Sequence, residues 1–170
     1  MQRILDSMTT TPALVLNGRL DVVGANALGQ ALYQPMYGAC GNANTAHFAF
    51  TDPGARTFWQ DWSMIADDIA NALRAESAGN PCDRLLTELT DELAARSPQF
   101  ASRWARHDVH VAHTGTHRIE HPLVGGLTLP FESTPLAADP GQTLLMYSVT
   151  PGSTAQDALH IMASWTTSHP

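Results

Sequence analysis

The spacing of hydrophobic and polar positions changes twice along the chain, and the changes divide it into strands, then helices, then strands again. Ala13-Leu-Val-Leu16 and Leu20-Asp-Val-Val23 are β-rich runs joined through Asn17-Gly18 and Arg19. Asn-Gly is a strong hairpin signal because both residues tolerate positive φ. A two-residue turn there sets Val15 opposite Leu20 and Ala13 opposite Val22, with these four on one side of the sheet and Arg19 and Asp21 on the other. Asn26 is placed to cap a short helix over 27–33 that ends before Pro35, and residues 37–44 have no period and read as a loop.

After Asp52-Pro53, a cap and first-turn pair, Phe58, Trp59, Trp62, Ile65, Ala66, Ile69, Ala72 and Leu73 recur at three-and-four spacing. Gln60, Asp61, Asp67, Asp68 and Asn71 occupy the other side, so the pattern predicts one long amphipathic helix stopped by Gly79-Asn80-Pro81. Asn80, Pro81 and Asp83 open a second helix bearing Leu85, Leu86, Leu89 and Leu93. Ser97-Pro98 opens a third with Phe100 and Trp104.

From Val109 the period falls to two. Val109 and Val111, a turn at Thr114-Gly115-Thr116, Leu127-Thr-Leu-Pro-Phe131 and Thr143-Leu-Leu-Met-Tyr-Ser-Val149 predict three further strands. Gly125-Gly126 suggests a bulge or bend, and Pro130, with no N–H for a ladder, belongs at a bulge or strand end. Ser153 with Gln156 resembles a capping box ahead of a last helix bearing Ala158, Ile161, Met162 and Trp165. Two strands, several helices, three strands and a helix make one α+β domain.

Composition narrows the function. The 170 residues fit a single domain, and nine Arg, no Lys, eleven Asp and five Glu give a net charge of −7. That balance argues against nucleic-acid binding by this chain, because phosphate affinity needs clustered cations. Cys40 and Cys82 are far apart and form no Cys-x-x-Cys pair, which points to reduced thiols. No apolar run approaches the ~20 residues that span a bilayer, and the charged start does not read as a signal peptide, so the expected place is the cytoplasm, with no membrane partner. Protonating all eight His would take the charge from −7 to +1, so solubility and any His-lined site should respond to pH near ~6.5.

Five of those histidines, His107, His110, His113, His117 and His121, crowd into residues 107–121. Helical spacing would align three of them as metal ligands, but the valine alternation argues for a hairpin. A Thr-Gly-Thr loop pairs His113 with His117, Val111 with Ile119, Val109 with His121 and His110 with Glu120. Val109, Val111, Ile119 and His121 then share the inner face, while Asp108, His110, Arg118 and Glu120 face solvent. The two imidazoles at the tip lack a third ligand, so no metal site is expected. His107 and His121 fall inside, either as hydrogen-bonded core groups or as the polar end of a pocket. His107-Asp108 cannot act as half a triad, since neighbouring strand residues face opposite ways, and no nucleophile elbow, phosphate loop or His-Glu-x-x-His word is present. No catalytic residue and no obligatory cofactor are assigned.

Trp59, Trp62, Phe58 and Trp104 read as core. Bulky helices over a small sheet can equally leave an elongated apolar cavity, with Met64, Met146 and Met162 as pliable wall. Of Arg56, Arg74, Arg103 and Arg106, Arg74 beside Leu73 is the first choice for an acidic head group.

Thr11-Pro-Ala-Leu-Val-Leu-Asn17 with Leu20-Asp-Val-Val-Gly-Ala-Asn26, Trp104-Ala-Arg-His-Asp-Val109, His121-Pro-Leu-Val-Gly125, Leu127-Thr-Leu-Pro-Phe-Glu132, and Tyr147 followed by Pro151-Gly-Ser153 together resemble the MmyB-like ligand-binding domain of actinobacterial transcription regulators. The resemblance covers about residues 3–165. It implies a PAS-like fold, a five-stranded antiparallel sheet covered by helices inserted after the second strand. It also implies a sensor whose DNA contacts are made through an attached amino-terminal helix-turn-helix domain of the Cro/repressor type, and long-chain fatty acid or a similar amphiphile as ligand class. Residues 1–10 then read as the end of a connecting helix and 11–167 as the sensor, the DNA-binding domain lying outside this chain. Two departures concern local strand geometry: Gly115-Thr116-His117 stands where Gly-Lys is expected, and Pro130 interrupts a strand.

The expected pocket walls are Trp59, Trp62, Ile65, Trp104, Val109, Leu127, Leu129 and Tyr147, with Arg74, His107 and His121 as polar partners. The competing expectations are a ligand-free homodimerisation module with a fully packed core, whose sheet or amino-terminal helix mates with a second copy, and, behind it, a metal-dependent enzyme using the His cluster.

Overall fold

The computed structural model describes residues 1–37, 43–106 and 112–168, the side chains of 166–168 excepted. The chain opens with a short helix, α1 (Gln2–Ser7), whose Leu5 is buried against Ala13 and Val15. β1 (Ala13–Asn17) and β2 (Val22–Ala25) form the expected hairpin in a different register. Leu14 lies opposite Ala25, Val15 opposite Gly24 and Leu16 opposite Val22, with a shift between Val15 and Leu16. Val15 therefore does not face Leu20, nor Ala13 Val22. The turn is longer than two residues because the Asn17 carboxamide organises it, accepting the N–H of Arg19 and of Asp21 at 3.0 Å each while Leu20 takes φ 64°. The Glu76 side chain packs directly over Gly18, where a Cβ would lie 2.3 Å from its carboxyl carbon and displace it.

Asn26 caps α2 (Ala27–Leu32) as expected, and it does more than cap. Its Oδ1 accepts from Gly29 N at 2.7 Å and Ala13 N at 3.0 Å, and its Nδ2 donates to Met8 O at 2.6 Å and Thr11 O at 2.7 Å. One side chain, 3% exposed, ties α1, β1 and α2 together. A 3₁₀ turn, Gln34–Met36, follows. The sequence reading ran its loop up to residue 44 and assigned nothing from there to Asp52. α3 (Thr45–Thr51) lies in that interval, capped by Asn44 through a 2.8 Å bond from His47 N.

The long helix is interrupted. α4 (Ala55–Phe58) stops at Trp59, and α5 (Trp62–Gly79) begins only after a bridge at Trp59 and a turn at Gln60 and Asp61 have touched the edge of the sheet. Trp59 bridges Ile119, and Gln60 N–H donates to Arg118 O at 2.9 Å. Arg118 holds the Asp61 carboxylate through two nitrogens, and Gln60 reaches Glu120 at 3.1 Å. α6 (Arg84–Arg96) and α7 (Pro98–Trp104) start at their expected caps, Asp83 and Ser97. Leu86, Leu89 and Leu93 are buried, whereas Leu85 faces solvent.

The last strands are β3 (Thr114–His121), β4 (Gly125–Pro135) and β5 (Gln142–Tyr147), and the antiparallel sheet order is β2-β1-β5-β4-β3. Residues 114–116 are strand, not turn. The chain reverses at 122–124 instead, where Pro122 lacks an N–H and Gly125 takes φ 76°. His117 is therefore paired with Leu129, Ile119 with Leu127, Glu120 with Gly126 and His121 with Gly125. The expected pairing of His113 with His117 gives way to these, and the expected partners Val109, His110 and Val111 lie outside the described residues. The alternation itself is as expected, with Ile119 and His121 inside and Arg118 and Glu120 outside, but His117 joins the inside. Pro130 lies within β4. Its carbonyl accepts Ser148 N at 2.9 Å, so its missing donor faces β5 just beyond the last paired residues, Phe131 and Tyr147, and costs the β3 ladder nothing.

α8 (Thr154–Ser168) has Ser153 Oγ accepting Gln156 N at 3.2 Å, while the Gln156 carboxamide accepts Gly152 N at 2.7 Å. Its buried residues are Ala158, Leu159 and Met162; Ile161 and Trp165, expected on that face, are 54% and 51% exposed. The helix packs on α2. One face of the sheet meets α1 through Ala13 and Val15, with Leu144 and Met146 beside them; the other face meets the remaining helices.

Asn26→Ala should lower the unfolding free energy by about 2–4 kcal/mol, because two half-buried carbonyls and two buried N–H groups lose their partner together. Asn26→Asp keeps the acceptor but sets a carboxylate against the Met8 and Thr11 carbonyls, so urea denaturation should show no rescue.

Candidate ligand-binding site

α5 crosses the sheet obliquely. Its start is fixed at the β3 edge by Trp59 and Gln60, and its far end rests on the β1–β2 turn, where the Glu76 carboxylate covers Gly18. The eleven steps from Ile65 to Glu76 span roughly 16 Å at ~1.5 Å each. Beneath this length lies a cavity of about 460 Å³, within the range of small-molecule pockets.

The hollow follows from side-chain size. α5 turns Ile65, Ile69, Ala72 and Ala75 toward it. The sheet answers with Leu14 and Leu16 of β1, Thr143 and Leu145 of β5, and Phe131 and Ser133 of β4. Alanine above serine and threonine leaves space that leucines would fill, while the leucines and Phe131 keep the floor apolar.

One end of the cavity is buried and polar. His117 Nδ1 lies 2.8 Å from the Tyr147 hydroxyl, which in turn meets the Tyr33 hydroxyl. His117 is 8% exposed and lies against Phe131 with ring centroids 4.2 Å apart. Burial pushes its pKa from 6.5 down to about 4, only partly opposed by the Asp61 charge, so the imidazole is neutral at pH 7. Burial likewise raises Tyr33 to about 12 and Tyr147 well above its ordinary value, so both hydroxyls keep their protons. The three groups form one hydrogen-bonded chain, and the imidazole tautomer sets the direction in which it runs. The Trp59 indole N–H is buried near Tyr33 but outside hydrogen-bond geometry. At the opposite end the lining is polar and more open, with Asn17, Gly18, Glu76, Gly141 and Gln142.

Of the residues expected in the wall, Trp59 and Ile65 line the cavity. Tyr147 stands behind it, its hydroxyl on His117. Leu127 and Leu129 are buried in the core opposite Ile119 and His117, outside the lining. Trp62 is held elsewhere, its Nε1 donating to Ala49 O at 2.8 Å and its ring between Arg56 and Arg103 at 4.0 and 5.0 Å. Trp104 stacks on Phe100 and carries the Arg74 guanidinium at 4.9 Å. Arg74 also donates to the Arg103 and Trp104 carbonyls at the end of α7, which takes it out of the lining. His121 is a joint: Nε2 donates to Ala31 O at 3.1 Å and Nδ1 accepts Leu123 N at 3.3 Å. His107 and Val109 lie outside the described residues, as do Cys40 and His110.

Sequence reasoning missed His117, Tyr33, Phe131 and Ala72. The signal for the first was present: pairing Leu127, Leu129 and Phe131 against Ile119 and His117 places the imidazole inside. Among the described residues no three His, Cys, Asp or Glu side chains converge as a metal site, and no helix is long and apolar enough to cross a membrane.

His117 and His121 both have pKa values lowered mainly by burial, so the unfolded chain takes up protons first as pH falls. Their stabilising contribution is complete above about pH 6.5 and is lost on acidification toward 4. Unfolding free energy should fall by about 1–2 kcal/mol between pH 7 and 5 in urea titrations, and His117→Gln should flatten that slope.

No curated protein matches the chain. A family model described as MmyB-like transcription regulator ligand binding domain matches residues 1–162, almost the whole sequence, and its description agrees with a cavity bounded by sheet and helix. The chain belongs to the MmyB-like transcription regulator ligand binding domain family.

Proposed function

We propose that this domain is the sensor of a transcription regulator and takes a small molecule with an apolar body into the cavity beneath α5. The observation that carries the reading is the hollow itself: about 460 Å³ with an apolar floor and a buried hydrogen-bonding group at one end. A fatty-acid-like amphiphile is one occupant whose tail suits that floor. Its polar partners in this reading are His117 and the groups around Glu76, since Arg74 is engaged at α7. The helices inserted between β2 and β3 support a PAS-like reading of the fold. Regulation would follow from a ligand that prefers one conformer and so shifts the arrangement of an attached cytoplasmic helix-turn-helix domain, through which DNA is bound. A ligand-free dimerisation module would gain nothing from an open seam, and the cavity favours the sensor.

The neutral fluorophore N-phenyl-1-naphthylamine should bind the protein with a blue shift. Ala72→Trp, which puts an indole into the hollow, should weaken that binding at least about tenfold while circular dichroism stays native. A protein that neither binds the dye nor releases any small molecule in native mass spectrometry would sink the sensor reading.

A further inference from the structure

The floor of the cavity and the seat of α1 are opposite faces of the same strands. On β1, Leu14 and Leu16 point into the cavity while Ala13 and Val15 carry Leu5. β5 repeats the division, with Thr143 and Leu145 inside and Leu144 and Met146 packed on the Leu5 cluster. On β2, Gly24 stands opposite Val15, and a Cβ there would already meet Leu5 Cδ1 at 3.4 Å. Of the six residues of α1 only Leu5 is buried, and Ile4 is exposed. A helix this short does not hold its shape alone in water, so α1 depends on that seat and on a 3.0 Å bond from Gln2 Nε2 to Ala25 O. Just beyond the helix the Met8 carbonyl is held by Asn26, which gives α1 a fixed point to pivot on.

The two walls of the cavity are unequally supported. α5 is backed by α3, α6 and α7 and begins at the Trp59 bridge to Ile119. Among the described helices, only α1 stands behind β1 and β5. Packed interiors transmit strain and shift at a discrete contact instead of deforming evenly. A ligand that fills the space under α5 bears on Leu14 and Leu145, and the weakest contact behind them is that of Leu5. We propose that occupancy of the cavity releases α1 from the outer face of the sheet, the helix swinging about Met8 while β1 and β5 stay paired. This rests on the reading of the cavity as a ligand site and names the element through which that site acts. Linkage makes the effect reciprocal: a domain whose α1 is already released binds the ligand more tightly, by up to the same factor.

Arg3 lies in α1 and is the only tryptic site before Arg19, so the rate at which trypsin cuts after it, followed by mass spectrometry, reports release. Saturating N-phenyl-1-naphthylamine should raise that rate about fivefold, while cutting after Arg118, within β3, slows because binding stabilises the folded domain. Leu5→Ala should raise the Arg3 rate without dye and tighten dye binding about fivefold, whereas Ile4→Ala, on the exposed side of the same helix, should do neither. In Ala72→Trp the dye should leave the Arg3 rate unchanged. Should Leu5→Ala lose its native circular dichroism, the wild-type rates decide alone. An Arg3 rate that stays the same or falls while the dye is bound, or a folded Leu5→Ala that binds no more tightly, overturns the coupling and leaves the cavity reading standing. A rise that persists in Ala72→Trp, or one shared by Arg3 and Arg118, is an effect of the dye outside the cavity or a general loosening, and also overturns it. If the dye does not bind, the ligand site fails, and the coupling with it.

Discussion

The architecture depends on a short link inside the helical region, a single β-bridge at Trp59 followed by a turn. Trp59, Gln60 and Asp61 lie along the outer edge of β3, with backbone pairing to Ile119 and Arg118 and side-chain contacts to Arg118 and Glu120. An exposed sheet edge invites other chains, and this short addition covers part of it. It also fixes where α5 starts. A helix anchored at one edge strand and resting on a turn at the opposite side must pass above the middle of the sheet, and the small residues Ala72, Ala75 and Ser133 leave the space beneath it unfilled. The void is a consequence of two anchors and a lack of bulk between them.

The distribution of polar groups follows the same geometry. Where α5 is pinned, the interior is dry, and the polar atoms of Tyr33, Tyr147 and His117 satisfy one another in neutral form. Such a chain is stable only while every member stays neutral, which the raised tyrosines and lowered histidine ensure near neutral pH. Where α5 meets the β1–β2 turn, water reaches the lining and a carboxylate is tolerated.

What could be read from the sequence was what is local. Asn26, Asp83, Ser97 and Ser153 announce helix starts because a cap needs only the next three residues. The alternation that buries Ile119 and His121 needs only period two. The misreadings concern partners distant in sequence. Nothing near Trp59 says that β3, some sixty positions on, will capture it, and its burial keeps the apolar spacing in phase with a helix. The turn was placed at Thr114-Gly115-Thr116 because Gly between threonines is a local signal, whereas the true reversal wins by matching Leu127, Leu129 and Phe131 to the inner face of β3. Arg74 shows the same limit: a cation on a helix face reads alike whether it meets a ligand or a neighbouring helix's carbonyls.

β1 has a different neighbour on each side. Leu14 and Leu16 form part of the cavity floor, while Ala13 and Val15, the alternate residues, are gripped from behind by Leu5 of the amino-terminal helix. The partition between the hollow and that helix is thus a single layer of backbone. Pressure on Leu14 reaches Leu5 through one adjoining peptide unit, so a displacement of the cavity floor bears directly on α1.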